Sequence, residues 1–415
     1  MTTHQNRRVR PALSALMLGA ATTFATTMTA GPSQAVPIGP GCPGLYVLGI
    51  QGTGQSSPTA DPLADTGVVG ALLGPVVAAV PGLVQRSYLG YGAGFGGIVP
   101  GGGPDPYVAS VTDARVQLDA AARQITEQCP NTLLAGVAYS QGAHAMSAFA
   151  RDVGSGNGPV GPEKIAAIAL YSNPTRSPDS PIFPGRPGQT VPDPAPGTAG
   201  GVVSGVQLVN APAAGSGLDS SAAGYGELEG RVADICVDGD LACSAPSQAS
   251  VLRIGAQLFA QANLNDPISA LASVNGLFHA ALGEAWATVI SSDFTVGGGN
   301  VDYTPSQSLL TRMIEAADPR IPAPTPQDAD LARARWGEIT AIVAANPVAL
   351  VPKLAGQLGA AWGQLVADNA SLSDPGVWLH FANTVAAHNG YALSGQLGSG
   401  IAWLTALAHD IGPRP

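Results

Sequence analysis

The sequence predicts an α/β fold, a three-layer arrangement with a central parallel sheet, joined to a helical segment in the second half of the chain. Three observations predict it. Short apolar runs alternate with helical patterns through the first half, the sign of parallel strands linked by crossover helices. One of these runs passes straight into Tyr139-Ser140-Gln141-Gly142 and then a small-residue helix. From Gln248 to about Asn383 the apolar spacing becomes helical throughout. The composition agrees: 45% hydrophobic and 11% charged over 415 residues excludes a disordered chain or a coiled coil, and the 54 glycines lack the every-third spacing of collagen. The length fits two or three domains, or one domain with a large insertion.

At the N-terminus, Arg7, Arg8 and Arg10 precede an uncharged run from Ala12 to Ala30 and then Ser33-Gln34-Ala35, a small-x-small cleavage pattern. Residues 1–35 are therefore expected to be a secretory signal peptide, which makes the protein secreted, to the extracellular space or cell envelope. Beyond it every apolar stretch is interrupted by Gly, Pro, Asn, Asp or Gln before reaching the length of a membrane span. Removing three arginines from 18 basic and 28 acidic residues leaves 15 against 28, a net charge of −13, which argues against nucleic acid as a partner.

The first strand is expected at Leu45–Ile50, ending in Gln51-Gly52-Thr53-Gly54. Residues 57–106 are rich in Gly and Pro and read as loop, with a short helix near Ala71–Val80. Val111, Ala114, Leu118, Ala122 and Ile125 recur at helical spacing, so a helix is expected over Val108–Gln128, stopped by Pro130. A strand at Leu133–Ala138 and a helix at Gln141–Arg151 follow. Further strands are expected at Ile165–Tyr171, Val202–Val209 and Arg231–Cys236, with loop over 174–200. The later helices are expected at Val251–Asn263, Ile268–Ile290, Ser306–Ala317, Asp328–Ala345, Val348–Asp368 and Leu393–Ala408. Four cysteines, Cys42, Cys129, Cys236 and Cys243, suit two disulfides in an exported chain, with three pairings open. No C-x-x-C pair and no neighbouring His supports a metal, so neither metal nor cofactor is expected.

The stretch Leu133 to His144 carries the chemistry. A hydrophobic strand running into x-Ser-x-Gly and then a helix is the setting of a nucleophile elbow, in which a sharp turn lifts the serine hydroxyl above the sheet. A Ser before a helix is otherwise an ordinary cap; the strand in front of it favours a nucleophile. The Gln141 N–H at the helix start can donate to a developing oxyanion. His144, one turn along, reads as a packed side chain.

Cys129-Pro130 through Ala138-Tyr139-Ser140-Gln141-Gly142 resembles the nucleophile region of the cutinase family, secreted serine esterases with an α/β-hydrolase fold. Ala138 stands where that family usually has Gly. Cys42 to Gly54 is similar to the family's first strand and oxyanion loop, which implies an oxyanion role for Thr53, although Gln51 stands where Arg is common. Cys236-Val237-Asp238-Gly239-Asp240-Leu241-Ala242-Cys243 resembles the family's disulfide-closed loop and implies that Asp240 is the catalytic acid, with Asp238 as rival. The spacing agrees. Cys42 lies eleven residues before Thr53, and Cys129 eleven before Ser140. If the two strands are parallel neighbours, a disulfide can join their starts, leaving Cys236 with Cys243.

A serine nucleophile needs a base and a carboxylate to orient it, and the chain order Ser, acid, His puts the base after Asp240. The family pattern of His followed three residues later by Tyr occurs at His388-Asn389-Gly390-Tyr391, which assigns His388 ahead of His380 and His279. The domains expected are then the core over 36–244, a helical insertion or cap over 245–386, and a C-terminal part of the core over 387–415. The function expected is a secreted esterase for lipid-like esters, in contact with lipid surfaces and monomeric. The alternatives are a polyester cutinase or general lipase, and a catalytically silent relative that binds lipid or a surface partner.

Overall fold

In a computed structural model, residues 34–209, 213–220 and 223–413 are described. The leader expected over 1–35 lies outside these residues except for its last two positions. Among the described residues the elements are β1 (Leu45–Ile50), α1 (Gly67–Ala79), β2 (Val84–Tyr88), α2 (Tyr107–Gln128), β3 (Leu133–Tyr139), α3 (Gln141–Gly154), β4 (Ile165–Tyr171) and β5 (Val232–Ile235). Then follow α4 (Leu241–Ser244), α5 (Ser250–Gln261), α6 (Pro267–Ser292), a hairpin of β6 (Phe294–Gly297) and β7 (Asn300–Tyr303), α7 (Leu309–Ala317) and α8 (Pro326–Ala345). The last are α9 (Pro347–Ala367), α10 (Pro375–His380), α11 (Thr384–Asn389) and α12 (Gln396–Ile411).

The sheet has the order β2-β1-β3-β4-β5 and every pairing in it is parallel. Alternate residues of β1 serve opposite faces. Leu45 and Val47 pack with α1 and α12, whereas Tyr46, Leu48 and Ile50 pack with α2 and α3. This is the three-layer arrangement expected, and it explains why β1, β3 and β4 read as unbroken apolar runs: strands covered on both faces have no polar side. Each fully buried Leu, Ile or Val side chain contributes about 1.5–3 kcal/mol of apolar transfer. The winding reverses between β1 and β3, and in open parallel sheets that point, at the carboxyl ends of the strands, is where ligands bind.

Three expectations need correction. β2 falls inside the stretch read as loop; it is an edge strand whose Gln85 and Arg86 are part exposed, so it lacks an apolar run. Val202–Val209 is not a strand but contains a 3₁₀ turn at Val203–Gly205. Its amides are taken elsewhere: the Asp410 carboxylate accepts from the Val202 and Val203 N–H groups, Thr190 O from Leu208 and Ser399 Oγ from Val209. The β6–β7 hairpin interrupts a region read as wholly helical.

Cys42 is bridged to Cys129 and Cys236 to Cys243, with Cα separations of 5.5 and 5.9 Å. β1 and β3 pair from Leu45↔Leu133 to Ile50↔Ala138, so the first bridge joins the starts of adjacent parallel strands. The helical segment has small apolar clusters of its own, one around Val289, Phe294, Tyr303 and Ile339 and another around Ile254, Leu258 and Leu310. Trp286 meets Trp336 edge to face with ring centroids 5.4 Å apart. From Tyr391 onward the chain rejoins the core cluster, where Trp403 is fully buried against Phe183. No described helix is long and apolar enough to cross a membrane.

Candidate active site

β3 ends at Tyr139 and α3 begins at Gln141, leaving Ser140 alone to turn the chain, with φ 54° and ψ −119°. A non-glycine residue held at positive φ is strained, and a strand-to-helix elbow is a setting that imposes it. Space there is scarce. A Cβ on Gly142 would lie 2.5 Å from the carbonyl oxygens of Ile50 and Gln51, so only glycine lets α3 start this close to β1. Ala138, in place of the usual Gly, is fully buried and pairs with Ile50 and Leu170 without disturbing the ladder.

Ser140, Asp240 and His388, 248 residues apart at the extremes, are brought together. The Ser140 hydroxyl lies 3.0 Å from His388 Nε2, and His388 Nδ1 lies 2.9 Å from Asp240 Oδ1. Asp240 is fully buried. Its Oδ2 accepts from the Tyr391 hydroxyl at 2.8 Å and its Oδ1 from the Ala242 N–H at 3.1 Å, so both oxygens are held. Ser172 Oγ lies 2.9 Å from His388 Nδ1, and the Tyr139 hydroxyl donates to the His388 carbonyl at 2.7 Å. Burial, and then the Asp240 charge, push the Tyr391 hydroxyl well above its usual pKa, which keeps it a donor to the carboxylate. The Cys236–Cys243 bridge closes the loop carrying Asp240, and the Leu241 N–H donates to Thr384 Oγ1 on α11 at 2.8 Å, tying the acid loop to the helix that bears His388.

Thr53 lies on the loop after β1, in the wall of a cavity shared with Ser140 and His388. Gln141 opens α3, where the first backbone N–H groups have no partner within the helix. The Gln141 side chain donates to the Gly94 carbonyl at 2.8 Å and so pins the neighbouring loop. Gln51 is buried, accepts from the Val69 N–H at 3.3 Å and donates to the Thr66 carbonyl, fixing the start of α1 to the end of β1. Asp238 and His380 form an exposed pair with each other at 3.3 Å and take no part in the cluster around Ser140. His279 is exposed on α6, edge-on to its neighbour Phe278. His144 is part-buried in the cavity wall, as a packed side chain, with its Nδ1 3.3 Å from the Tyr107 hydroxyl.

The cutinase family model matches residues 41–254, more than half of the 415. The chain belongs to the cutinase family. Its core is an α/β-hydrolase fold with extra helices, and it is a carboxylic ester hydrolase. The matched stretch contains Ser140 and Asp240 but stops well short of His388. Among solved structures, the chain is similar to the catalytic core domain of acetyl xylan esterase from Trichoderma reesei, with 20% identity, TM-score 0.34 and coverage of 57% of this chain and 99% of that one. A cutinase-like protein from Cryptococcus sp. has 19% identity, TM-score 0.28 and coverage of 49% and 80%. Lysin B from Mycobacteriophage D29 has 16% identity, TM-score 0.33 and coverage of 71% and 90%. No curated protein sequence matches the chain.

The cavity beside Ser140 and His388 has a volume of about 800 Å³ and runs between α2 of the core and α5 of the helical segment. Val108, Val111 and Val116 line one side, Ala256 and Ala260 the other. Two further cavities, of about 750 and 570 Å³, lie wholly within the helical segment and contain none of the residues clustered around Ser140. Sequence reading missed Tyr391 as a partner of Asp240, although the His-x-x-Tyr pattern marked its place. It also missed Ser172, whose position just past the end of β4 is where sites in parallel sheets gather.

Proposed function

We propose that this cutinase-family protein is an exported serine esterase that cleaves long-chain, lipid-like carboxylic esters, with residues 245–386 acting as a cap over the core. The observation that carries this reading is the position of the apolar cavity: it opens on the Ser140 hydroxyl, and its far wall comes from α5 of the helical segment. An aliphatic chain placed there is desolvated while its ester carbonyl meets the nucleophile.

In this mechanism His388 Nε2 takes the proton from Ser140 Oγ as that oxygen attacks the ester carbonyl. The resulting oxyanion is stabilised by the N–H groups of Thr53 and Gln141, the latter at the positive end of α3. His388 then protonates the departing alcohol, leaving the acyl group on Ser140. Water, deprotonated by the same nitrogen, attacks the acyl-enzyme and releases the acid. Asp240 stays ionised and holds the imidazolium through Nδ1, while Tyr391 holds Asp240.

The reading is tested by hydrolysis of p-nitrophenyl esters from acetyl to palmitoyl, together with labelling by an alkyl phosphonate. Turnover rising with chain length and a phosphonate on Ser140 support it. A flat profile sinks the long-chain assignment, and absence of both turnover and labelling would instead favour a catalytically silent lipid-binding relative.

A further inference from the structure

The cavity is mainly apolar, with Thr112, Arg115, Arg151 and Thr175 in its wall and one further polar cluster close to the nucleophile. His144 stands one turn along α3 from Ser140, a rise of about 6 Å. Asp219 approaches it from the core loop at 213–220, with Oδ2 3.5 Å from His144 Nε2. Two residues of the helical segment complete the group. Arg320 donates to Asp219 Oδ1 at 2.7 Å and to Asp318 Oδ2 at 2.7 Å, and Gln257 Nε2 lies 3.4 Å from Asp219 Oδ1. All four of His144, Asp219, Gln257 and Arg320 line the cavity.

The cluster is short of donors. Burial, followed by the charges of Arg320 and Arg151, pulls the His144 imidazole down to about 3, so it is neutral and gives Asp219 only one long contact. Gln257, 8% exposed, has its Oε1 buried and without a donor among the described residues. The side chain of Asp219 is 22% exposed, and burial raises its carboxyl above the usual range. The arginines of the wall are already engaged, Arg320 with Asp219 and Asp318, Arg115 with Asp119 and Asp152, and Arg151 with Thr175 and the Ala223 carbonyl, so an anion would have to displace these partners. A cationic ligand would have to leave water for a mainly apolar wall that already carries Arg115, Arg151 and Arg320, at far greater cost than a hydroxyl. What the site lacks is a neutral group that donates a hydrogen bond and can accept one in return.

We propose that Asp219, flanked by Arg320 and Gln257, forms a subsite for a free hydroxyl carried by the ester substrate within a few bonds of the scissile carbonyl. The inference rests on the esterase reading of the same cavity and narrows its substrate class to hydroxylated esters. The hydroxyl donates to the Asp219 carboxylate or to the buried Gln257 Oε1 and accepts from Arg320. It belongs either to the acyl chain or to a polyol leaving group, because the cluster lies too near Ser140 to serve the distant end of an aliphatic chain. A site that hydrogen-bonds a substrate hydroxyl discriminates strongly against the analogue lacking it, since that analogue leaves buried polar groups unpaired.

The test uses the full chain and three matched substrates: propyl octanoate, propyl 3-hydroxyoctanoate and 1-octanoylglycerol. The quantity read is the ratio of kcat/KM for each hydroxylated ester to that for propyl octanoate. One of the two ratios should reach roughly ten to a hundred, and which one tells whether the hydroxyl lies on the acyl or the alcohol side. Both Asp219→Asn and Gln257→Leu should bring that ratio down severalfold or more. Because it is taken within one variant, general damage to the enzyme cancels, and Gln257→Leu supplies the same reading should Asp219→Asn not fold. Ratios near one in the native protein, or a preference that survives both substitutions, would overturn the subsite. If none of the three esters is cleaved, the esterase reading itself fails and takes the subsite with it.

Discussion

The core and the helical segment solve the problem of burial in opposite ways. In the core, β1, β3 and β4 are buried along their whole length and helices cover both faces of the sheet. In the helical segment, long helices share two small clusters and leave Ile268, Leu271, Val348, Trp362 and Leu379 exposed. The two disulfides lie in the core, and none of the four cysteines lies between 245 and 386. The difference teaches where precision is required. Ser140 and Asp240 hang from a sheet that cannot shift without breaking its packing. The segment contributes what tolerates looser placement, a cavity wall, and delivers His388 only where its last helix is tied back to the acid loop.

The largest expected effect tests that division. His388→Ala should reduce esterase turnover by about 10⁴-fold or more, as much as Ser140→Ala, because members of a triad act as a unit. If the His388 variant keeps a tenth of native activity in a steady-state assay, the base lies elsewhere and the end of the helical segment has no chemical role.

A smaller effect sharpens the role of the wall. Ala260→Trp on α5 fills the cavity from the segment's side, so kcat/KM for a palmitoyl ester should fall about 10- to 100-fold while an acetyl ester changes by less than about threefold. Equal losses for both chain lengths would show that the segment does not shape the chain-binding space.

The smallest effect concerns the seam between the regions. His144 is held neutral by burial, with its pKa down at about 3, against about 6.5 in an unfolded chain. A depressed pKa means that stability is full above pH 6.5 and is lost as the pH falls towards 3, by about 1.4 kcal/mol per pH unit. Replacing it, as His144→Gln, should flatten the fall of Tm between pH 6.5 and 4.5. An unchanged slope would mean that other groups govern acid unfolding.

How much of this was legible depended on whether the signal was local. β1 formed with the bounds expected, and α2, β3 and α3 within a few residues, because a doubly covered strand is an apolar run and a nucleophile elbow needs a fixed order of small residues. The pairing of the cysteines followed from equal spacing on two parallel strands. β2 was invisible because an edge strand keeps polar side chains. Val202–Val209 misled because apolar alternation says nothing of who takes the amides, and here Asp410 on α12 takes two of them. In the site, Ser140, Asp240 and His388 each sit in a recognisable local pattern. Asp219, Gln257 and Arg320 do not, since they meet only when the segment folds onto the core.

The placement of His388 and α12 after the helical segment also sets an order of events during synthesis. Residues through 254 emerge first and carry β1 to β5 with both cysteine pairs, but the sheet face that Trp403, Leu404 and Leu407 cover stays bare until the last residues arrive. Closing contacts between β3 and α11, some 250 residues apart, is slow because a long loop must be gathered before any contact rewards it. The cluster of Ser140, Asp240 and His388 is therefore the last part of the molecule to form. If Ser140, Asp240 and His388 act as the proposed nucleophile, acid and base, a chain interrupted anywhere before His388 lacks its base, and activity reports on completed synthesis and folding of the whole protein.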